Sequence, residues 1–149
     1  MKDQVRDLIA SMTPSTDIDG NLIDMVISRL SSLGYNPDDT AIEQYKIAHI
    51  MVGIEKDIHN MCNISNIPDG LKSVYTDMVC GKIILESYQL GKMPEGFTVD
   101  GALGTVKIGD ISVSENGADL TSEQKLLKLC DYLIMHGKDD LVCYRRVKW

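Results

Sequence analysis

Ile47, Met51, Ile54, Ile58 and Met61 recur at intervals of four, three, four and three residues. That spacing gathers all five on one face of an α-helix of about six turns. A strand cannot carry the pattern, because its neighbouring side chains alternate between two faces. Asn36-Pro37-Asp38-Asp39 stands just upstream and reads as the start of this helix. Asn supplies a cap, Pro costs nothing in the first turn, and the two carboxylates meet the positive end of the helix dipole. A chain built around such a rod has to wrap it with other elements that are apolar on one side.

Those elements can be read on both sides of it. A short helix is expected from about Lys2 to Met12, stopping before Pro14. A second begins near Asp19 or Gly20, places Leu22, Val26, Leu30 and Leu33 on one face, and ends at Gly34. The connection from Asn63 to Pro68 is short, so the helix after it should fold back antiparallel on the long one. That helix carries Val74, Met78, Leu85 and Tyr88 on one face, with Gly81 where two helices could approach closely. A second ridge, Tyr75, Val79 and Ile83, lies beside the first. So broad an apolar cover requires either enclosure by the chain's own fold or a neighbouring subunit. Gly91 ends the helix, and Lys92 to Gly101 reads as a loop.

Thr105 to Ser114 alternates apolar and polar residues on both sides of Gly109-Asp110, the pattern of a β-hairpin. Such short arms need a surface to lie on, either the helices or a neighbour's sheet edge. Thr121-Ser122-Glu123-Gln124 is a capping box that opens a last helix, with Leu126, Leu127, Cys130, Leu133 and Ile134 facing inward and Gly137 closing it. The expected fold is therefore mainly α. It is a helical bundle of four to five helices with one β-hairpin (102–114) and an extended C-terminal tail (138–149), all in one domain over 1–149.

Composition narrows the function. The net charge of −7 disfavours nucleic-acid binding through a general basic surface. No apolar run reaches the ~18 residues of a membrane span, and the N-terminus lacks a signal-type apolar region. Cys62, Cys80, Cys130 and Cys143 form no C-x-x-C pair and read as small apolar residues of a reducing compartment. The extreme C-terminus, Arg145-Arg146-Val147-Lys148-Trp149, is basic and aromatic. It is either a solvated tail or a peg for an acidic or apolar groove.

Catalytic patterns are missing. There is no G-x-G-x-x-G, no Walker loop and no G-x-S-x-G elbow. Asp17-Ile18-Asp19-Gly20-Asn21 opens like an EF-hand but lacks the closing ligands. His59 and Cys62 share a helical face without a second ligand pair, and His49 and His59 point to different sides. His136, at a helix C-terminus, is accounted for by the dipole. Glu43, Glu55, Asp57, Asp77 and Glu86 are expected on solvated faces. A small hydrolase using Glu55, Asp57 and Asp77 is the enzyme reading to set against a non-enzyme, and no catalytic, cofactor or metal residue is assigned.

Four segments carry a family resemblance: Asn66-Ile67-Pro68-Asp69-Gly70-Leu71, Met78-Val79-Cys80-Gly81-Lys82, Val106 to Val113, and Tyr144 to Trp149 with its Tyr-Arg-Arg-x-x-Trp pattern. Over about Asp39 to Trp149 the chain resembles the small head–tail connector (adaptor) proteins of bacteriophages and prophages. Residues 1–35 have no counterpart in it. The resemblance implies a structural subunit of a homo-oligomeric ring of about a dozen copies. It would sit beneath a portal protein, extend the DNA channel and meet the tail-completion proteins, in a virion or in the host cytoplasm during assembly. An acidic lumen would let DNA pass without sequence-specific binding. Contacts to neighbours or partners are expected from Tyr75, Val79, Ile83, Val106, Ile108, Ile111, Val113, Tyr144, Arg145, Arg146 and Trp149. The alternatives are the collar ring of a headless, phage-tail-like bacteriocin, or a monomeric acidic adaptor.

Overall fold

The computed structural model describes residues 1–106 and 119–147. Its described elements are α1 (Lys2–Met12), α2 (Gly20–Ser32), α3 (Ala41–Cys62), a 3-10 turn (Asp69–Leu71), α4 (Lys72–Gln89), α5 (Val99–Val106), α6 (Ser122–Met135) and α7 (Lys138–Cys143). The mainly helical class is as expected, with seven α-helices among the described residues where four to five were read.

The seam of α3 is buried at Ile47, Met51, Ile54 and Ile58, whereas Met61 is 45% exposed. The start of α3 lies further along than its upstream signal: Thr40, not Asn36, is the cap, its hydroxyl accepting from the Glu43 amide at 3.3 Å. Helix α2 matches its reading closely. Asp19 accepts from the Leu22 amide at 2.8 Å, and Leu22, Val26, Leu30 and Leu33 are all buried. Gly34 and Gly91 follow α2 and α4 in the left-handed region (φ 79° and 65°) that glycine enters without steric cost.

Helix α4 is the axis of the molecule. Ser87, late in α4, bonds Lys46, early in α3, and Tyr75, early in α4, donates to the Met51 carbonyl at 2.8 Å, as an antiparallel pair requires. On another side the Cys80 thiol points at the Val26 carbonyl of α2. On a third, Gly81 faces α6, where an added Cβ would stand 2.9 Å from both Leu133 and Ile134. The glycine is what lets these two helices close up.

Enclosure on three sides changes the meaning of the second ridge. Tyr75, Val79 and Ile83 have no exposed surface at all within a single chain. These three expected subunit contacts are core residues, covered by the chain's own helices. The breadth of its apolar surface reflects a central helix.

The C-terminal half departs from the reading in three more places. Val99 to Gly101, expected in a loop, opens α5, where Thr98 accepts from the Gly101 amide at 3.3 Å and Ala102 is buried. No β-hairpin is seen among the described residues: Thr105 and Val106, placed in its first arm, close α5, and Ile108, Ile111 and Val113 lie outside the described residues. The tail is not extended from Lys138, because Lys138–Cys143 forms α7 and buries Leu141. Helix α6 has its capping box, Thr121 and Gln124 bonding each other's backbone at 3.2 and 3.0 Å, but Leu127 is turned outward at 43% exposure. Gly137 is not a left-handed stop (φ −90°); a Cβ there would collide with Val74.

Candidate functional site

Three side-chain constellations could carry chemistry or recognition. The first is a half-buried polar quartet linking the loop before α3 to α3 and α4. Lys46 donates to Glu43 Oε2 (2.6 Å), to Ser87 Oγ (2.7 Å) and to the Tyr35 hydroxyl oxygen (3.0 Å). Tyr35 in turn donates to Glu43 Oε1 at 2.7 Å and shares a 2.7 Å bond with Ser87. A serine against a lysine amine is the outline of a nucleophile with its base. The electrostatics run the other way. Burial alone would pull the Lys46 pKa down, but the bonds to Glu43 and Tyr35 outweigh it and hold the pKa above its ordinary value. Lys46 therefore stays charged and cannot take the Ser87 proton, and Ser87 is sealed from solvent. The quartet fastens Tyr35 into the core, with burial raising the Tyr35 pKa as well. Glu43 is thus no solvated surface charge.

The second constellation is Asp17, Glu55 and His59, each offering a ligand atom within 4.8 Å of the others. Glu55 is only 2% exposed. Its carboxylate accepts from the Thr16 hydroxyl (2.9 and 3.1 Å) and from the Asp17 amide (2.7 Å). Asp17 Oδ2 accepts from the Ile67 amide at 2.9 Å and lies 3.1 Å from His59 Nε2. The companion of His59 is therefore this pair of carboxylates and not Cys62, which turns inward to the Leu141 carbonyl. Asp17 sits in an irregular segment before α2, so no helical spacing could have linked it to residues 55 and 59.

Asp77, on α4, bridges Arg29 at 2.8 Å and His136 at 3.3 Å and so ties α2 to the end of α6. His136 also stacks on Tyr132, with ring centroids 4.6 Å apart. Asp57 is exposed on α3. The three acids of the hydrolase reading, Glu55, Asp57 and Asp77, thus have different surroundings: a buried pair with Asp17, solvent, and an ion-pair clamp.

The third constellation is the root of the C-terminal tail. The Arg146 amide donates to the Cys62 carbonyl at 2.7 Å, and the Asn63 side chain donates to the Arg146 carbonyl at 3.1 Å. Asn63 caps α3 in the left-handed region (φ 52°), which Asn enters more readily than other side-chain-bearing residues. The Tyr144 hydroxyl lies over Gly70, where any Cβ would strike it. Arg145, Arg146 and Val147 are exposed beside Asn60, Met61 and Asn63 around a shallow depression. Of the expected contact residues in the tail, Tyr144, Arg145 and Arg146 are thus held together at one place, and Trp149 lies outside the described residues. Val106 is half-buried at the end of α5, beside Thr105, whose hydroxyl donates to the Ser32 carbonyl.

No family model, curated protein or solved structure matches the chain.

Proposed function

We propose that this chain is a structural subunit of the ring joining head to tail in a tailed bacteriophage or prophage, a non-enzymatic part that binds like copies and a portal or tail protein. One observation carries the reading beyond the motifs themselves. Two of the segments that carry the resemblance, Asn66–Leu71 and Tyr144–Arg146, touch through Tyr144 and Gly70 although more than 70 residues apart in sequence. The contact, the bond of the Arg146 amide to the Cys62 carbonyl and that of the Asn63 side chain to the Arg146 carbonyl hold the tail at its root. Two guanidinium groups then face outward from a defined position on an otherwise acidic chain. A fixed basic peg suits an acidic groove on a partner, and the overall negative charge suits a channel past which DNA slides.

Deleting the gene tests this. DNA-filled heads and unjoined tails are expected, with the chain present in several copies in complete wild-type particles by quantitative mass spectrometry. Joined, infectious particles assembled without it would overturn the reading.

A second reading, a monomeric acidic adaptor, is favoured by the full burial of Tyr75, Val79 and Ile83 inside one chain. Under it, removing 144–149 abolishes capture of one partner and leaves particle assembly unchanged.

A further inference from the structure

We propose that Asp17, Glu55 and His59 form a binding site for one divalent transition-metal ion, of the zinc or manganese class, that pins the segment before α2 to α3 and to the connection after it. The argument begins with charge. Two carboxylates lie within 4.8 Å of each other, and one of them is almost wholly withdrawn from solvent. Among the described residues no lysine or arginine pairs with either; the ion-pair partner of Asp17 is His59, and Glu55 has none. Adjacent anionic groups in a low-dielectric site repel and lose hydration, and a cation placed between them relieves both costs.

Spacing gives the second step. Donors each about 2.1 Å from one ion, at tetrahedral or octahedral angles, stand about 3.0–3.4 Å apart. Asp17 Oδ2 and His59 Nε2 are 3.1 Å apart. Glu55 Oε1 is engaged by the Asp17 amide and the Thr16 hydroxyl, which leaves Oε2 with only the longer, shared contact and a lone pair to give. The amide of Ile67 donates to the same Asp17 Oδ2 at 2.9 Å and so fixes where that oxygen stands, as outer hydrogen bonds do for a metal-ligating carboxylate. Two carboxylate oxygens with one imidazole nitrogen suit zinc or manganese, with water completing the shell. The site does not depend on the proposed function and stands or falls separately.

The test uses the full chain, stripped with a chelator and titrated with zinc chloride and with manganese chloride by calorimetry. One ion per chain is expected, with a rise in Tm on loading. His59→Gln and Asp17→Asn should each weaken binding at least tenfold while the metal-free variants keep the wild-type circular dichroism. X-ray absorption at the zinc edge should show nitrogen and oxygen neighbours only. Absence of binding by the stripped wild-type chain, undiminished binding in both variants, or sulfur in the zinc shell would each overturn the proposal. Should a substitution unfold the chain, the calorimetry and absorption spectrum of the wild-type protein decide alone.

Discussion

At the scale of single residues, glycines govern how closely the helices approach. Gly81 allows α6 to come within a distance at which a methyl group would meet Leu133, Ile134 and the Cys130 carbonyl. Gly81→Val should therefore destabilise the fold by about 1–3 kcal/mol, the usual cost of overpacking a filled core, seen as a lower urea midpoint. Gly70→Ala meets the Tyr144 hydroxyl and ring at the tail's root. It should leave the midpoint nearly unchanged while speeding amide exchange at Arg146, whose N–H then loses its hold on the Cys62 carbonyl. The cysteines behave as apolar residues at this scale. Burial raises the Cys62 and Cys80 pKa values and pushes Cys130 up to about 12, so thiol reagents at neutral pH should label the exposed Cys143 first.

Between elements, the buried polar bonds hold specific pairs together. Lys46→Met would remove the donor and counter-charge of the half-buried Glu43 Oε2, while the Tyr35 bonds to Glu43 and Ser87 remain, and should cost about 1–3 kcal/mol. Lys72→Met, by contrast, removes a bridge to the fully exposed Asp69 and should be close to neutral by the same denaturation measurement. The quartet also sets a response to alkali. Tyr35 and Lys46 both have folded pKa values above their ordinary 10.0 and 10.5. Above those ordinary values the unfolded chain releases protons that the folded chain retains, so stability falls as pH rises. The stability they contribute is intact below pH 10 and is lost as pH climbs through the folded values. Tyr35→Phe should make the fall of Tm above pH 10 shallower.

Over the whole molecule, enclosure and charge decide what is available to a partner. The core runs from Val5 in α1 to Leu141 in α7 and includes Val74, Tyr75, Met78, Val79 and Ile83 of α4, with Leu85 and Tyr88 half-buried against it. Association, if it follows the proposed function, has to use the tail's root and surfaces other than the Tyr75–Val79–Ile83 ridge. Replacing Arg145 and Arg146 together by Glu should leave Tm within a degree or two of wild type, since both side chains are exposed. The same pair of changes should exclude the chain from assembled particles, read by quantitative mass spectrometry of purified virions.

Local rules determined much of this fold from the sequence alone. The 3.6-residue periodicity located α2, α3, α4 and α6, because a helix closes its bonds within one segment and shows its buried face as a repeat, while Pro14 marked the end of α1. Capping chemistry found the Asp19 start, the Thr121 box and the Gly34 and Gly91 stops for the same reason. It missed Thr40, since Asn36-Pro37 offers an equally good local start and only packing chooses between them. α5 was hidden by two glycines and α7 by its brevity; both are short helices held against α6 and α3, a stabilisation no local pattern records. Only the tertiary structure decided whether α4 is covered by its own chain or by another. It alone joined Asp17 to Glu55 and His59, and Gly70 to Tyr144. Such contacts depend on where distant segments cross, and a linear pattern of apolar and polar residues holds no information about that crossing.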